Sequence, residues 1–278
     1  MLDLHGVSSG GGTSLTTIGT ILLGNDGQNA AGVPLDSNPG KATLVGWGGL
    51  TTIADTIKEL KLLSQDQMDP VNGEDIVPAT TTTSLLGILH LYDYLPYKTG
   101  TRTLQMAQNT GAANNIGYYM DWYAELGKNG SLALPVTGGA QGGGYYSVTS
   151  GALTALTWKA TAFNPTQALP VGKYAVQGVA LANLTNYALV RFSHADFGAF
   201  KPGFPVTDQW STALANANVP KDPIFQNNLQ QFTYLSDEYG KPCCPVFNAG
   251  PQSTGLNIEV CAITADTPQI TLNIAKVG

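Results

Sequence analysis

The sequence predicts an all-β fold: two jelly-roll β-sandwiches side by side with a few short helices, the alternative being one elaborated jelly roll. Three observations predict it. Runs of β-branched and aromatic residues alternate with period two along most of the chain. Turns rich in Gly, Pro and Asn separate these runs at short intervals. Near the midpoint, "VTGGAQGGGYYSV" places five glycines between Gly138 and Gly144. Glycine loses the most freedom on ordering, so such a run resists both helix and strand and reads as a joint between two bodies.

Taken in order, residues 1–41 read as a flexible N-terminal arm, rich in Gly, Ser, Thr and Asn, with one strand in "SLTTIGTILL". Residues 42–137 read as the first jelly roll. It opens with "ATLVGW" and continues with "SLLGILHLYDY", which puts Leu86, Ile88, His90, Tyr92 and Tyr94 on one face. "TRTLQMAQ" follows, then "NIGYYMDWYAE", with Tyr118, Met120 and Trp122 on one side. Within this half, Ile53, Ile57, Leu60 and Leu63 recur at helical spacing and predict a helix, although "IKELKLL" also fits a strand. Residues 138–144 are the glycine linker, and residues 145–278 read as the second jelly roll. Its strands are "YYSV", "ALTALTWKATAF", "KYAVQGVALA", "YALVRF", "LNIEVCAI" and "QITLNIAKV". The last two point Leu256, Ile258, Val260, Ile270, Leu272 and Ile274 inward, with Trp158 and Tyr174 nearby. A helix is expected from Asp222, an N-cap before Pro223, with Phe225, Leu229, Phe232 and Leu235 in one stripe. "TDQWSTALANA" suggests a shorter one. No residue-level repeat relates the halves.

Composition narrows the function. Only 12% of the 278 residues are charged, about half the usual share for a soluble domain. A surface of small neutral polar groups loses little hydration when another subunit covers it. The net charge is −6, and the 13 Lys and Arg form no basic cluster, so phosphate-based nucleic acid binding is not expected. The N-terminus carries no secretion-signal pattern, and no apolar run is long enough to span a membrane. The three cysteines, Cys243, Cys244 and Cys261, fit no zinc spacing. Buried free thiols or one bridge to Cys261 both remain open.

The candidate chemistry is sparse. His5, His90 and His194 are the three histidines. "FSHADFG" sets His194 two residues from Asp196 and near Arg191, but no third partner lies close in sequence. "SQDQMDPVNGED" gathers Asp66, Asp69, Asn72, Glu74 and Asp75 around Pro70 and Gly73. Oxygen-rich turns can hold calcium, yet this spacing matches no calcium-loop template and equally suits a solvated turn. No nucleophile elbow, phosphate loop or zincin motif occurs. The sequence therefore assigns no catalytic, cofactor-binding or metal residue and predicts no enzyme.

The stretch "LPVGKYAVQGVALANLTNYALVRFSHADFGAFKPGFPV", a strand pair closed by Lys201-Pro202-Gly203, looks like jelly-roll coat sequence. With the low charge and the two halves, the chain resembles the double jelly-roll major capsid proteins of tailless icosahedral double-stranded DNA viruses. The resemblance is architectural and covers most of residues 42–278. It implies two jelly rolls side by side, three copies forming a pseudo-hexagonal tile, and a self-assembled shell in the virion, built in the host cytoplasm. Minor capsid proteins or an internal membrane are the further partners it allows. Residues 1–40 hold no Lys or Arg, unlike a basic genome-touching arm. Two other classes compete: a surface or carbohydrate-binding β module, using Trp122, Tyr123 and Trp158 in an open groove, and an enzyme on a β scaffold. Particle size separates the first class from both.

Overall fold

The structure, a computed structural model, describes residues 2–10, 14, 16–23, 42–50, 57–64, 74–76, 88–96, 100–108, 114–123, 143–182, 187–198, 201–207 and 245–277. Sixteen strands run through them. The first eight are β1 (Leu2–Gly10), β2 (Thr16–Leu23), β3 (Ala42–Leu50), β4 (Ile57–Ser64), β5 (Glu74–Ile76), β6 (Ile88–Pro96), β7 (Gly100–Gln108) and β8 (Asn114–Tyr123). The second eight are β9 (Gly143–Thr149), β10 (Lys159–Ala162), β11 (Gly172–Ala182), β12 (Tyr187–Ser193), β13 (Gly203–Thr207), β14 (Val246–Ala249), β15 (Asn257–Ala262) and β16 (Gln269–Lys276).

The strands form four four-stranded sheets, and every ladder is antiparallel. The first half gives the orders β1-β8-β3-β6 and β2-β7-β4-β5. The second half gives β9-β16-β11-β14 and β10-β15-β12-β13, which is the first pattern with eight added to each number. Each set is the eight-strand, two-sheet order of a jelly roll. In each, all connections cross between sheets except one, β4 to β5 or β12 to β13. The internal repeat invisible in the residues is complete in the topology.

Period-two patterning explains the cores. In the second half, Ile258, Val260, Ile270, Leu272 and Ile274 are fully buried, with Leu256 and Tyr174 nearly so and Trp158 packed against them. In the first half, Leu60 opposes Met106 and Leu62 opposes Leu104, and all four are buried. The halves also meet. Ile116 and Tyr118 of β8 belong to the same buried apolar cluster as the second-half core, and β1 runs beside β13.

Three expectations are corrected. Of the expected arm 1–41, the described residues 2–10 and 16–23 are paired strands: β1 pairs along its length with β8, and β2 pairs with β7. Backbone pairing builds these edge strands from Gly, Ser and Thr that carry little apolar signal. The helix expected over Ile53 to Leu63 is strand β4 from Ile57, because Leu60 and Leu62 enter the core from the same face while Lys61 alternates out. The strand expected across "ALTALTWKATAF" shrinks to β10, since Leu156 takes a positive φ of 59° that breaks any extended run before it. The glycine run ends inside β9, which already includes Gly143 and Gly144. The helices expected at 207–217 and 222–235 lie outside the described residues, apart from Thr207 at the end of β13.

Candidate functional site

A group of polar and charged side chains sits on the sheet β10-β15-β12-β13, on the face opposite Ile258 and Val260. Arg191 of β12 stands directly across from Glu259 of β15. Its Nε donates to Glu259 Oε2 at 2.6 Å. Lys201, just before β13, donates through Nζ to Oε1 at 2.8 Å and Oε2 at 3.0 Å. The Arg191 guanidinium lies 3.8 Å from the ring centre of Trp158, so a cation–π contact roofs the cluster. Burial pushes the Glu259 carboxyl up, but Arg191 and Lys201 outweigh it and hold the group below the usual carboxylate range. Cys261, two residues along the same strand, is a free buried thiol that burial pushes up to about 12. At that value it is a neutral thiol at neutral pH.

The pair found in "FSHADFG" has a structural job. His194 caps a 3-10 turn, Ala195–Phe197, by accepting the Asp196 backbone N–H on Nδ1 at 3.0 Å. Phe197 and Phe247 flank its ring, each with centroids 5.7 Å away. Asp196 Oδ2 lies 3.2 Å from His194 Nδ1 and accepts from both the backbone N–H and the side-chain amide of Asn248, at 2.8 and 2.9 Å. The connection between β12 and β13 is thereby tied to β14 in the opposite sheet. Arg191, near these two in sequence, turns instead to Glu259.

The remaining candidates do not converge. Glu74 and Asp75 lie on β5, opposite Leu62 and Lys61, while Asp66, Asp69 and Asn72 fall outside the described residues. His5 and His90 sit on β1 and β6, opposite Tyr119 and Gly48. Cys243 and Cys244 are likewise outside the described residues. Among the described residues, no three His, Cys, Asp or Glu side chains gather as a metal site would require. Trp122 and Tyr123 end β8. Trp158 is packed on the core under Arg191, so it offers no open aromatic platform. A shallow cavity of about 70 Å³ opens between residues 164–169 and 250–254, where Thr254 Oγ1 donates to the Phe163 carbonyl and latches the loops together. Drug-sized ligands occupy sites of about 300–1,000 Å³, so this cavity admits little more than a side chain. Sequence reasoning missed the Arg191–Glu259–Lys201 cluster because its members lie on different strands; a lone Glu in the apolar run "LNIEVCAI" was the available signal.

The strand order defines the class: a tandem jelly-roll protein. No protein-family model matches the chain, and no curated protein matches its sequence. Solved structures similar to it include the major capsid protein P2 of bacteriophage PM2, at 10% identity, a TM-score of 0.24, and coverage of 99% of this chain and 98% of that one. A chain from an archaeal virus with a triple jelly-roll fold and turret assembly is similar at 8% identity and a TM-score of 0.24. That match covers 98% of this chain, which spans 59% of the viral one. The CUB1-EGF-CUB2 region of human MASP-1/3 is similar too, at 8% identity, a TM-score of 0.22, and coverage of 97% and 99%.

Proposed function

We propose that this chain is the structural subunit of a viral shell, a major capsid protein that self-associates into trimers and then into an icosahedral coat. The observation that carries the reading is the tandem topology: two complete jelly rolls in the same strand order, joined through β8. Jelly rolls are an architecture of viral capsids and lectins. A doubled one gives a broad tile with flanks on both bodies, and a cyclic trimer uses such flanks as a heterologous interface that closes on itself. The charge-poor composition supports this, because a charge buried at a contact without a partner is costly. In this reading the protein resides in the virion, after assembly in the host cytoplasm. It has no catalytic role and makes no direct contact with nucleic acid. Its neighbours are copies of itself, with minor capsid proteins or an internal membrane as the further partners.

Mass photometry and negative-stain microscopy of purified full-length protein test the reading. Trimers or larger closed particles are the expected result. A clean monomer at micromolar concentration across neutral pH and moderate salt would overturn it and favour a single surface module.

A further inference from the structure

The two bodies of this chain repeat one strand order, so the contact between them is also a rule for placing a further copy. Within the chain, β1 of the first body runs beside β13, the fifth strand of the second. Ile116 and Tyr118 of β8 join the apolar cluster of the second body, which takes in none of Trp47, Leu60, Leu62 and Leu104 of the first. Trp47 lies opposite Tyr119, so it points from the face of the sheet that Tyr118 does not occupy. The first body therefore lays the outer face of β1-β8-β3 against the second.

The second body has the corresponding strands, β9, β16 and β11, in the same order. Their inner face carries Tyr146 and Leu272 and packs on the core. The register then places Tyr145, Asn273 and Gly178 in one row of the outer face, and Ser147, Thr271 and Ala180 in the next. None of the six is charged. The Ser147 and Thr271 hydroxyls bond each other across the strands at 2.7 Å. Tyr145 is 67% exposed, and Gln269, one row further on, is exposed too. A contact made once, as the chain folds, can be apolar, as at Ile116 and Tyr118. A face that stays in water until a partner arrives is suited by small neutral groups around an aromatic, which lose little hydration on being covered.

We infer that the outer face of β9-β16-β11 docks the first body of a second copy of this chain, with the β5 edge of that copy beside β9. This contact presupposes the self-association proposed above and gives it a location. It is the contact within the chain carried forward by one body: β1 beside β13 becomes β9 beside β5. Such a contact is heterologous, second body to first body, so each chain can both give and receive one and a ring can close.

Photo-crosslinking tests the placement. A benzophenone amino acid replaces Tyr145 in the full chain, which is assembled from an equal mixture of isotopically light and heavy copies. Peptide pairs of mixed isotope then report contacts between copies. The expected pairs join position 145 to β5 or to β4 beside it. Thr149, exposed at the end of the same face, takes the probe if its presence at position 145 blocks assembly. Gln269→Glu should raise the concentration for half-association about tenfold with an unchanged melting temperature. Gln167→Glu, the same change at an exposed position on the connection from β10 to β11, should leave association as it was. If the chain assembles but the mixed pairs join the probe to the second body of the other copy, or no mixed pair forms, the docking is overturned and the shell reading stands. Equal weakening by the two Glu variants overturns it as well. A wild type that stays monomeric overturns both.

Discussion

Ile258 and Glu259 are neighbours on β15 that face opposite ways, and both are buried, at 0% and 8% exposure. This sheet is covered on both faces, so an apolar and an ionic residue are buried side by side on one strand. They predict different losses. Ile258→Ala, or Leu272→Ala on β16, removes a fully buried side chain and should cost about 2–5 kcal/mol in denaturant unfolding. A loss below about half a kcal/mol at both sites would show that neither faces the core. Glu259 acts through pH instead. Its folded-state value lies below the unfolded one, so its contribution is complete above the unfolded carboxylate range and disappears as the pH falls through the folded value. Thermal unfolding of the wild type should therefore lose stability steeply across the acidic range, and Glu259→Gln should be less stable at neutral pH with a flatter acid limb. An identical acid limb in both proteins would refute the assignment.

Single strands show how tightly the ladders are drawn and how far their patterns can be read. Gly203 opens β13 opposite Arg191, where an added Cβ would run into the Val190 carbonyl and the Arg191 backbone. Gly143 opens β9, where a Cβ would stand 2.6 Å from the Ile274 carbonyl. Gly203→Ala should lower the melting temperature by several degrees, while Gly198→Ala, which meets open space but a positive φ, should cost only about 1 kcal/mol. Equal effects would mean that backbone crowding at β13 is not real. Gly203 sits where the sequence reads a turn and Gly143 where it reads a linker, and their use as close-approach positions needs the partner strand to be known. The same holds across the fold. β11, β12, β15 and β16 were legible because both their apolar runs and their alternation survive in one dimension. β4 was misread because Ile53, Ile57, Leu60 and Leu63 satisfy helical spacing, and only pairing with β7 selects the Leu60 and Leu62 face. β1 was missed because "LDLHGVSSG" gains its place from nine backbone-paired positions on β8, not from side chains. Of the ionic cluster, Arg191 was noticed beside the wrong partners, since Glu259 is 68 residues away.

At the scale of the whole molecule, the placement of the N-terminus changes what the chain can do without. An arm could be trimmed and leave two intact bodies that merely assemble less well. In this structure, removing residues 1–41 takes away β1 and β2, the first strand of each sheet in the first jelly roll. β8 loses its partner along Leu2 to Gly10, and β7 loses Thr16 to Leu23. Two long central strands become raw edges with unpaired N–H and C=O groups, a template for edge-to-edge aggregation. The damage extends to the second half, because Ile116 and Tyr118, buried in its apolar cluster, are carried by β8 itself. The expected outcome for the truncated protein is insoluble material, or soluble oligomers without a cooperative melting transition, instead of a well-behaved subunit defective only in assembly. Circular dichroism melting and size-exclusion chromatography of the truncated and full-length proteins make the comparison. A truncated chain that melts cooperatively at the full-length temperature would restore the arm and remove β1 and β2 from the fold.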